Sequence, residues 1–167
     1  MKKWICLSEN TKWVIFDLDG TLADIEDRRK QSTVTDREGK VKLNWSTFFD
    51  PKKIEYDKPN RSVIHMAQVL AESGHAIAIF SGRSNGTELS TKTWLEKHKV
   101  PYHILRMRPM GKMQYTPDDV LKQMWLDELF PGDEKESIVA VFDDRNKVVD
   151  MWRKNGLTCM QVAPGDF

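Results

Sequence analysis

Three segments of the chain share one design, an apolar, β-branched run closed by a phenylalanine and then by polar residues. They are Val14-Ile15-Phe16-Asp17, Ile77-Ala78-Ile79-Phe80-Ser81 and Val139-Ala140-Val141-Phe142-Asp143. None alternates polar with apolar residues, so each reads as a strand buried on both faces, the pattern of a parallel sheet covered by helices. Helical patterns lie between them. Val63, Ala67 and Leu70 recur at helical spacing and stop at Gly74. Thr116-Pro117-Asp118-Asp119 supplies an N-cap, an N1 proline and first-turn acids before Val120, Leu121, Met124 and Trp125, and a third helix carries Val148, Val149 and Trp152 to about Gly156. Two weaker strands, Tyr102 to Leu105 and Thr158 to Val162, complete a βαβα alternation. The expected fold is α/β, a single-domain, Rossmann-like open parallel sheet with right-handed crossovers.

The stretch from about 24 to 60 fits that alternation poorly. It mixes Arg28, Arg29, Lys30, Arg37, Lys40, Lys42, Lys52 and Lys53 with Trp45, Phe48, Phe49 and Tyr56, and its Pro51 and Pro59 argue against one long helix. Two readings stand: a small lid inserted after the first strand, or a surface loop whose Trp45 and Phe48 plug the core.

Length and composition limit the rest. The 167 residues, 40% hydrophobic and 31% charged, suit one domain spanning 1–167. Twenty-six Lys and Arg face 25 Asp and Glu, a net charge of +1, so no global field pulls the protein onto nucleic acid or membrane and any anion site is local. Cys6 and Cys159 stand far apart with no metal-ligand spacing, which fits two buried thiols in a reducing compartment. Met1 to Leu7 is too short for a signal-peptide core or a membrane span, so the expected location is the cytoplasm.

In an open α/β sheet, ligands bind beyond the carboxyl ends of the strands. That rule brings Asp17, Ser81 and Asp143, each the first polar residue after its strand, to one edge. Strand-end alternation projects Asp17 and Asp19 of Asp17-Leu18-Asp19-Gly20-Thr21 to the same side, and Gly20 lets the chain turn. A carboxylate pair can divide the work of phosphoryl transfer: Asp17 attacks phosphorus, Asp19 protonates the leaving oxygen and later activates water. The bland alternative, a polar turn or calcium-loop fragment, lacks the regularly spaced oxygen ligands and distal Glu of a calcium loop. Ser81-Gly82-Arg83 offers a hydroxyl, backbone N–H groups and a forked cation to phosphate oxygens, although Ser-Gly alone is a common turn. Asp143-Asp144 repel each other unless a cation intervenes, and with Asp17 they form the acidic half of a Mg²⁺ site; Asp144 can equally cap the helix that follows. A lysine is needed to balance charge. Lys122, in the capped helix, is the choice over Lys112, though either could be an ordinary solvated lysine.

With Asp-x-Asp-Gly-Thr, Ser, Lys and Asp-Asp in order, the sequence resembles the haloacid dehalogenase superfamily over nearly its whole length. More narrowly it resembles the 3′-phosphatase domains of phage polynucleotide kinase-phosphatases and their stand-alone relatives. That likeness is carried by Phe16 to Ala23, Arg28, Ser81-Gly82-Arg83, Asp118 to Lys122, Phe142-Asp143-Asp144-Arg145, Val148-Val149, Met151-Trp152-Arg153, Gln161-Val162-Ala163 and Gly165-Asp166-Phe167. The resemblance implies Asp17 as nucleophile, Asp19 as acid/base, and Ser81, Gly82, Lys122 and Thr21 at the phosphate. It further implies Asp17, Asp19, Asp143 and Asp144 at Mg²⁺, with Arg28 and Arg83 towards the substrate. Three departures stand out. There is no Gly-x-x-x-x-Gly-Lys-Ser/Thr loop, so 5′-phosphorylation is not expected. The insertion is longer than the phage domain's. Gln114-Tyr115-Thr116 stands where relatives carry Asp-x-Arg.

Hydrolysis of a 3′-terminal phosphate, or a 2′,3′-cyclic phosphate, on DNA or RNA ends is therefore the leading expectation, with a separate kinase or ligase as partner. A basic patch of Arg28, Arg29, Lys30, Lys52 and Lys53, with Trp45 or Phe48 stacking on a base, would supply the local contacts. A small-molecule phosphatase such as a nucleotidase comes second. A non-catalytic end-binding domain has no need of the paired carboxylates.

Overall fold

The computed structural model describes residues 10–166. Strand β1 (Trp13–Phe16) sends Val14 and Phe16 to one face of the sheet and Ile15 to the other, as strand alternation requires, and all three are fully buried. The chain then runs through β2 (Ala23–Asp24), α1 (Glu26–Ser32), β3 (Thr33–Thr35), β4 (Val41–Leu43), α2 (Trp45–Phe48), α3 (Pro51–Glu55) and β5 (Lys58–Pro59). Strand–helix alternation resumes with α4 (Arg61–Glu72), β6 (Ala76–Ser84), α5 (Glu88–Lys97), β7 (Ile104–Arg108), α6 (Asp118–Leu129), β8 (Ile138–Asp143), α7 (Asn146–Lys154) and β9 (Cys159–Gln161).

Five strands form one parallel sheet in the order β7-β6-β1-β8-β9. Its two faces build two cores. Val14, Phe16, Ile77, Ile79 and Phe142 meet Val63, Ile64 and Ala67 of α4 and Trp94 and Leu95 of α5. Ile15, Ala78, Phe80 and Val141 meet Leu121, Trp125 and Leu126 of α6 and Val148, Val149 and Trp152 of α7. Helices on both faces are why the strands read as continuous apolar runs. From β1 the chain moves outward to β6 and β7, then returns to β8 on β1's other side. The order reverses between β1 and β8, and a crevice at such a switch point is where ligands bind.

Four local expectations shift. α6 begins at Asp118, one residue later than expected, so Pro117 rather than Thr116 is at the N-cap, and its ring offers no side-chain acceptor for a cap. The strand expected at Tyr102 to Leu105 lies later, over Ile104–Arg108. Val139 is half exposed beside the buried Ile138 and Ala140. Helix α5 has no counterpart in the sequence reading, since its inward face includes Ser90 and Thr91 beside Trp94 and Leu95, which breaks the apolar period.

The insertion is organised. β2 and β5 pair antiparallel, Ala23 opposite Pro59 and Asp24 opposite Lys58, so it leaves and rejoins the body at one place. β3 and β4 form a hairpin, Asn44 Oδ1 caps α2 by accepting the Thr47 N–H at 3.2 Å, and Asp50 does the same for α3 with Lys52 at 2.9 Å. Phe48 and Ile54 are buried, whereas Trp45 is 62% exposed. No described helix is long and apolar enough to cross a membrane. Cys159 is a buried free thiol, pushed up to about 12 by burial; Cys6 lies outside the described residues.

Candidate active site

Asp17 follows β1 directly, and its N–H donates to the Phe142 carbonyl at 2.8 Å, which sets it beside Asp143 at the end of β8. Lys122 reaches in from α6. Its Nζ donates to Asp17 Oδ1 at 2.6 Å and to Asp143 Oδ2 at 2.8 Å, and all three side chains are almost fully buried. The Trp152 indole donates to the same Asp143 oxygen at 3.1 Å, while Asp143 Oδ1 accepts the N–H groups of Asp144 and Arg145. The Thr21 hydroxyl lies 3.3 Å from Asp17 Oδ2 and 3.4 Å from Asp144 Oδ1, and its one proton can serve either carboxylate.

Carboxylate oxygens of Asp17, Asp143 and Asp144 lie within 4.8 Å of one another. Burial pushes the Asp17 carboxyl well above its ordinary range; Lys122 opposes the rise and the two neighbouring acids add to it. Asp144 is likewise raised to about 6, by burial and by Asp143. Lys122 is driven the other way. Burial disfavours its ammonium, yet Asp143 and Asp17 outweigh that and keep it charged. Three buried carboxylates against one ammonium leave an excess of negative charge on hard oxygen donors, which suits a divalent, oxygen-seeking ion such as Mg²⁺.

Asp19 belongs to a second group. The turn that carries it is closed by Gly20 N–H donating to the Ala23 carbonyl at 2.8 Å, with Gly20 at φ +85°, where a side chain is strained. A methyl at Gly20 would also overlap the Asp144 carboxylate. The Asp19 carboxylate lies outside the three-acid cluster and is held by Arg28 Nη2 at 2.7 Å and Arg83 Nε at 2.8 Å. Both arginines also bond Asp57, Arg28 through Nε at 3.0 Å and Arg83 through Nη2 at 2.9 Å. Burial favours the neutral form of Asp19, but the two guanidiniums overcome it and hold the carboxyl at about 2. At Asp57 burial wins, and the carboxyl sits at about 6.

Arg28 and Arg83 are both buried, Arg28 with its guanidinium 4.3 Å from the centre of the Phe48 ring. Neither Arg28 nor Phe48 therefore contributes to an exposed basic and aromatic patch; of that expected set, Lys30, Lys52 and Trp45 are exposed, Arg29 and Lys53 are partly so, and Trp45 stacks on Phe49. Ser81 is fully buried, and its Oγ accepts the Arg83 N–H at 3.2 Å. Gly82 faces Asp118, whose Oδ1 a methyl would approach to 2.8 Å. Asp118 in turn pairs with Arg108 and Arg145, and Arg108 Nε donates to the Gly82 carbonyl at 3.0 Å. Lys112, the alternative to Lys122, is on the surface.

Of the residues expected from the sequence, the structure thus brings Asp17, Thr21, Lys122, Asp143 and Asp144 into one group and sets Asp19, expected with the other acids at the metal, with Arg28 and Arg83 in its neighbour. Sequence reasoning missed Asp57 and the bracing role of Asp118. A usable signal for Asp57 was charge balance: two arginines beside a buried strand end need an acid each.

A family profile described as the polynucleotide kinase PNKP phosphatase domain matches residues 11–167. A protein of Autographa californica nuclear polyhedrosis virus, named as a bifunctional polynucleotide kinase/RNA ligase, is 32% identical over 133 residues, covering 77% of this chain and 19% of the viral one. A chain in the structure of the Pnkp1/Rnl/Hen1 RNA repair complex superposes with a TM-score of 0.75 at 31% identity, over 94% of this chain and 44% of that one. This chain therefore spans less than half the length of either relative. For fold alone, a haloacid dehalogenase-like hydrolase of Streptococcus pneumoniae superposes with a TM-score of 0.62 at 13% identity, over 91% of this chain and 84% of that one. The chain belongs to the PNKP phosphatase-domain family and is a phosphatase of the haloacid dehalogenase superfamily.

Proposed function

We propose that this chain removes the 3′-terminal phosphate from DNA or RNA ends, with Mg²⁺, through an aspartyl-phosphate on Asp17. The observation that carries the reading is the placement of Asp17 between Lys122 and the two acids Asp143 and Asp144, with Asp19 held two residues away by paired guanidiniums. The family match and the likeness to an RNA-repair chain support a nucleic-acid end as substrate.

Asp17 attacks phosphorus, the bond from phosphorus to the 3′-oxygen breaks, and the electron pair leaves on that oxygen, which takes a proton from Asp19. Water then attacks the same phosphorus, Asp19 takes its proton, and the bond to Asp17 breaks to release phosphate. At rest Arg28 and Arg83 keep Asp19 ionised, ready as base; the negative charge of a bound phosphoryl group opposes them and favours the protonated form needed for the first step. Asp17, Asp143 and Asp144 would hold the Mg²⁺, which would neutralise charge on the phosphoryl group. Lys122 holds the two carboxylates in place, and Ser81, Gly82 and Thr21 serve the phosphate. The segment from about 24 to 60 serves as a lid over this edge. The reading puts the protein in the cytoplasm, beside a separate kinase or ligase.

Phosphate release is measured from an oligonucleotide bearing a 3′-phosphate and from the same strand bearing a 5′-phosphate. Preference for the 3′-phosphate and its loss in Asp17→Asn are expected. Equal or greater release from the 5′-phosphate would overturn the assignment.

A further inference from the structure

A cavity of about 570 Å³ opens from the active site at Gly20, the residue after Asp19, and at Asp144. Its far walls come from three separate segments: Ile25 and Arg29 near α1, Pro59 and Arg61 at the start of α4, and Ala163-Pro164 near the end of the described chain. That volume lies within the roughly 300–1,000 Å³ of small-ligand sites and is far more than a phosphate group fills.

The charges in the cavity are distinguishable by what already holds them. Asp24 Oδ1 accepts the Glu26 N–H at 3.0 Å, and Glu26 pairs with Lys30 at 3.2 Å. Arg61 is exposed and lines the cavity, and its side chain forms no ion pair or hydrogen bond with the described residues. Hydrolysis of a mononucleotide brings one anion, which is consumed at Asp17 and leaves nothing for a cation on the far wall. A polynucleotide end brings a second anion one nucleotide away, the phosphodiester that joins its last two residues.

We infer that this cavity seats the nucleoside carrying the scissile phosphate, between the apolar walls of Ile25, Pro59, Ala163 and Pro164, and that Arg61 takes the adjoining phosphodiester. Arg61 is then the residue that makes the enzyme prefer a strand end to a mononucleotide. The inference rests on the 3′-phosphatase reading and assigns that site its substrate length.

Two substrates separate the possibilities: thymidine 3′-monophosphate and the 3′-phosphorylated thymidine dinucleotide, assayed with Mg²⁺ on the full chain. Wild type favours the dinucleotide in kcat/KM. Arg61→Gln lowers that preference about tenfold, the worth of one charge-assisted hydrogen bond, chiefly by raising KM for the dinucleotide. Arg61→Lys keeps most of it, and the salt dependence of dinucleotide turnover flattens in Arg61→Gln by about one unit of slope. Arg61 is exposed, so an unchanged melting temperature verifies the fold. An equal kcat/KM for the two substrates in wild type, or an undiminished preference in Arg61→Gln, overturns the inference while leaving the 3′-phosphatase reading intact. Wild-type turnover of p-nitrophenyl phosphate with neither nucleotide hydrolysed overturns that reading and this inference with it.

Discussion

Trp152 and Lys122 converge on one oxygen of Asp143, the indole N–H at 3.1 Å and the ammonium at 2.8 Å. The indole arrives from the fully buried core beneath the sheet, so packing on α7 fixes where the acid points. Trp152→Phe keeps most of the apolar volume and deletes the donor. Hydrogen bonds to charged groups contribute about 1.5–3 kcal/mol, so kcat should fall by roughly tenfold or more with KM little changed. Steady-state kinetics on any hydrolysed monoester tests this; a rise in KM alone would show that Trp152 does not position Asp143.

Lys122 is the only cation bonded to Asp17 and Asp143 among the described residues. Lys122→Met leaves two buried carboxylates without a cationic partner, a change that typically costs about 3–5 kcal/mol. In chelator the variant should melt well below wild type. Added Mg²⁺ should raise its melting temperature more than it raises that of wild type, because the ion then offsets charge that Lys122 no longer balances. Equal Mg²⁺ shifts in the two proteins would argue against a shared site.

The sheet and the acids at its edge were legible because burial on both faces wrote unbroken apolar runs, and each run ended in the residue that matters. Asp17 and Asp143 needed no more than that rule, whereas a charge count called for a lysine without separating Lys122 from Lys112, which the fold does by burying Lys122 against both acids. Asp57 was not legible. It stands at the end of an irregular insertion, and what makes it important is contact with Arg28, 29 positions back, and Arg83, 26 positions on. Helix α5 was hidden for a related reason. Its Thr91 hydroxyl lies 3.3 Å from the Arg83 guanidinium and its Trp94 indole donates to the Asp57 carbonyl at 2.7 Å, so its inward face is partly polar by necessity.

Asp19 and Asp57 share two arginines yet respond oppositely to pH. The Asp57 carboxyl sits at about 6 against an ordinary 3.8, so the folded state binds its proton more tightly than the unfolded chain does. Stability from this group rises as pH falls from about 6 towards 3.8. Asp19, held at about 2, has the reverse sign: its stabilisation is present above 3.8 and is lost as pH falls towards 2. Melting temperatures of metal-free wild type and Asp57→Asn between pH 7 and 4 isolate the first effect. The wild type should gain on the variant as the pH drops through 6. A constant difference across that range would mean that Asp57 stays ionised.

Gly165 supports the site from the far end of the chain. Its carbonyl accepts the Asn146 N–H at 2.9 Å, and a methyl on its Cα would overlap the Asp144 carbonyl and the Arg145 backbone. Those atoms are backbone and cannot swing aside as a flexible side chain would, so Gly165→Ala must either displace the terminal segment or shift Asp144. Overpacking of this kind typically costs about 1–3 kcal/mol. If the segment yields, stability falls and Mg²⁺ dependence is unchanged. If Asp144 yields, the Mg²⁺ concentration for half-maximal activity rises severalfold. The first outcome is expected, because Gln161 Nε2 also holds the Asp144 carbonyl, at 3.0 Å, and anchors that backbone to β9. Titrating Mg²⁺ against turnover in Gly165→Ala and wild type distinguishes them, and superimposable curves would assign the segment to stability alone.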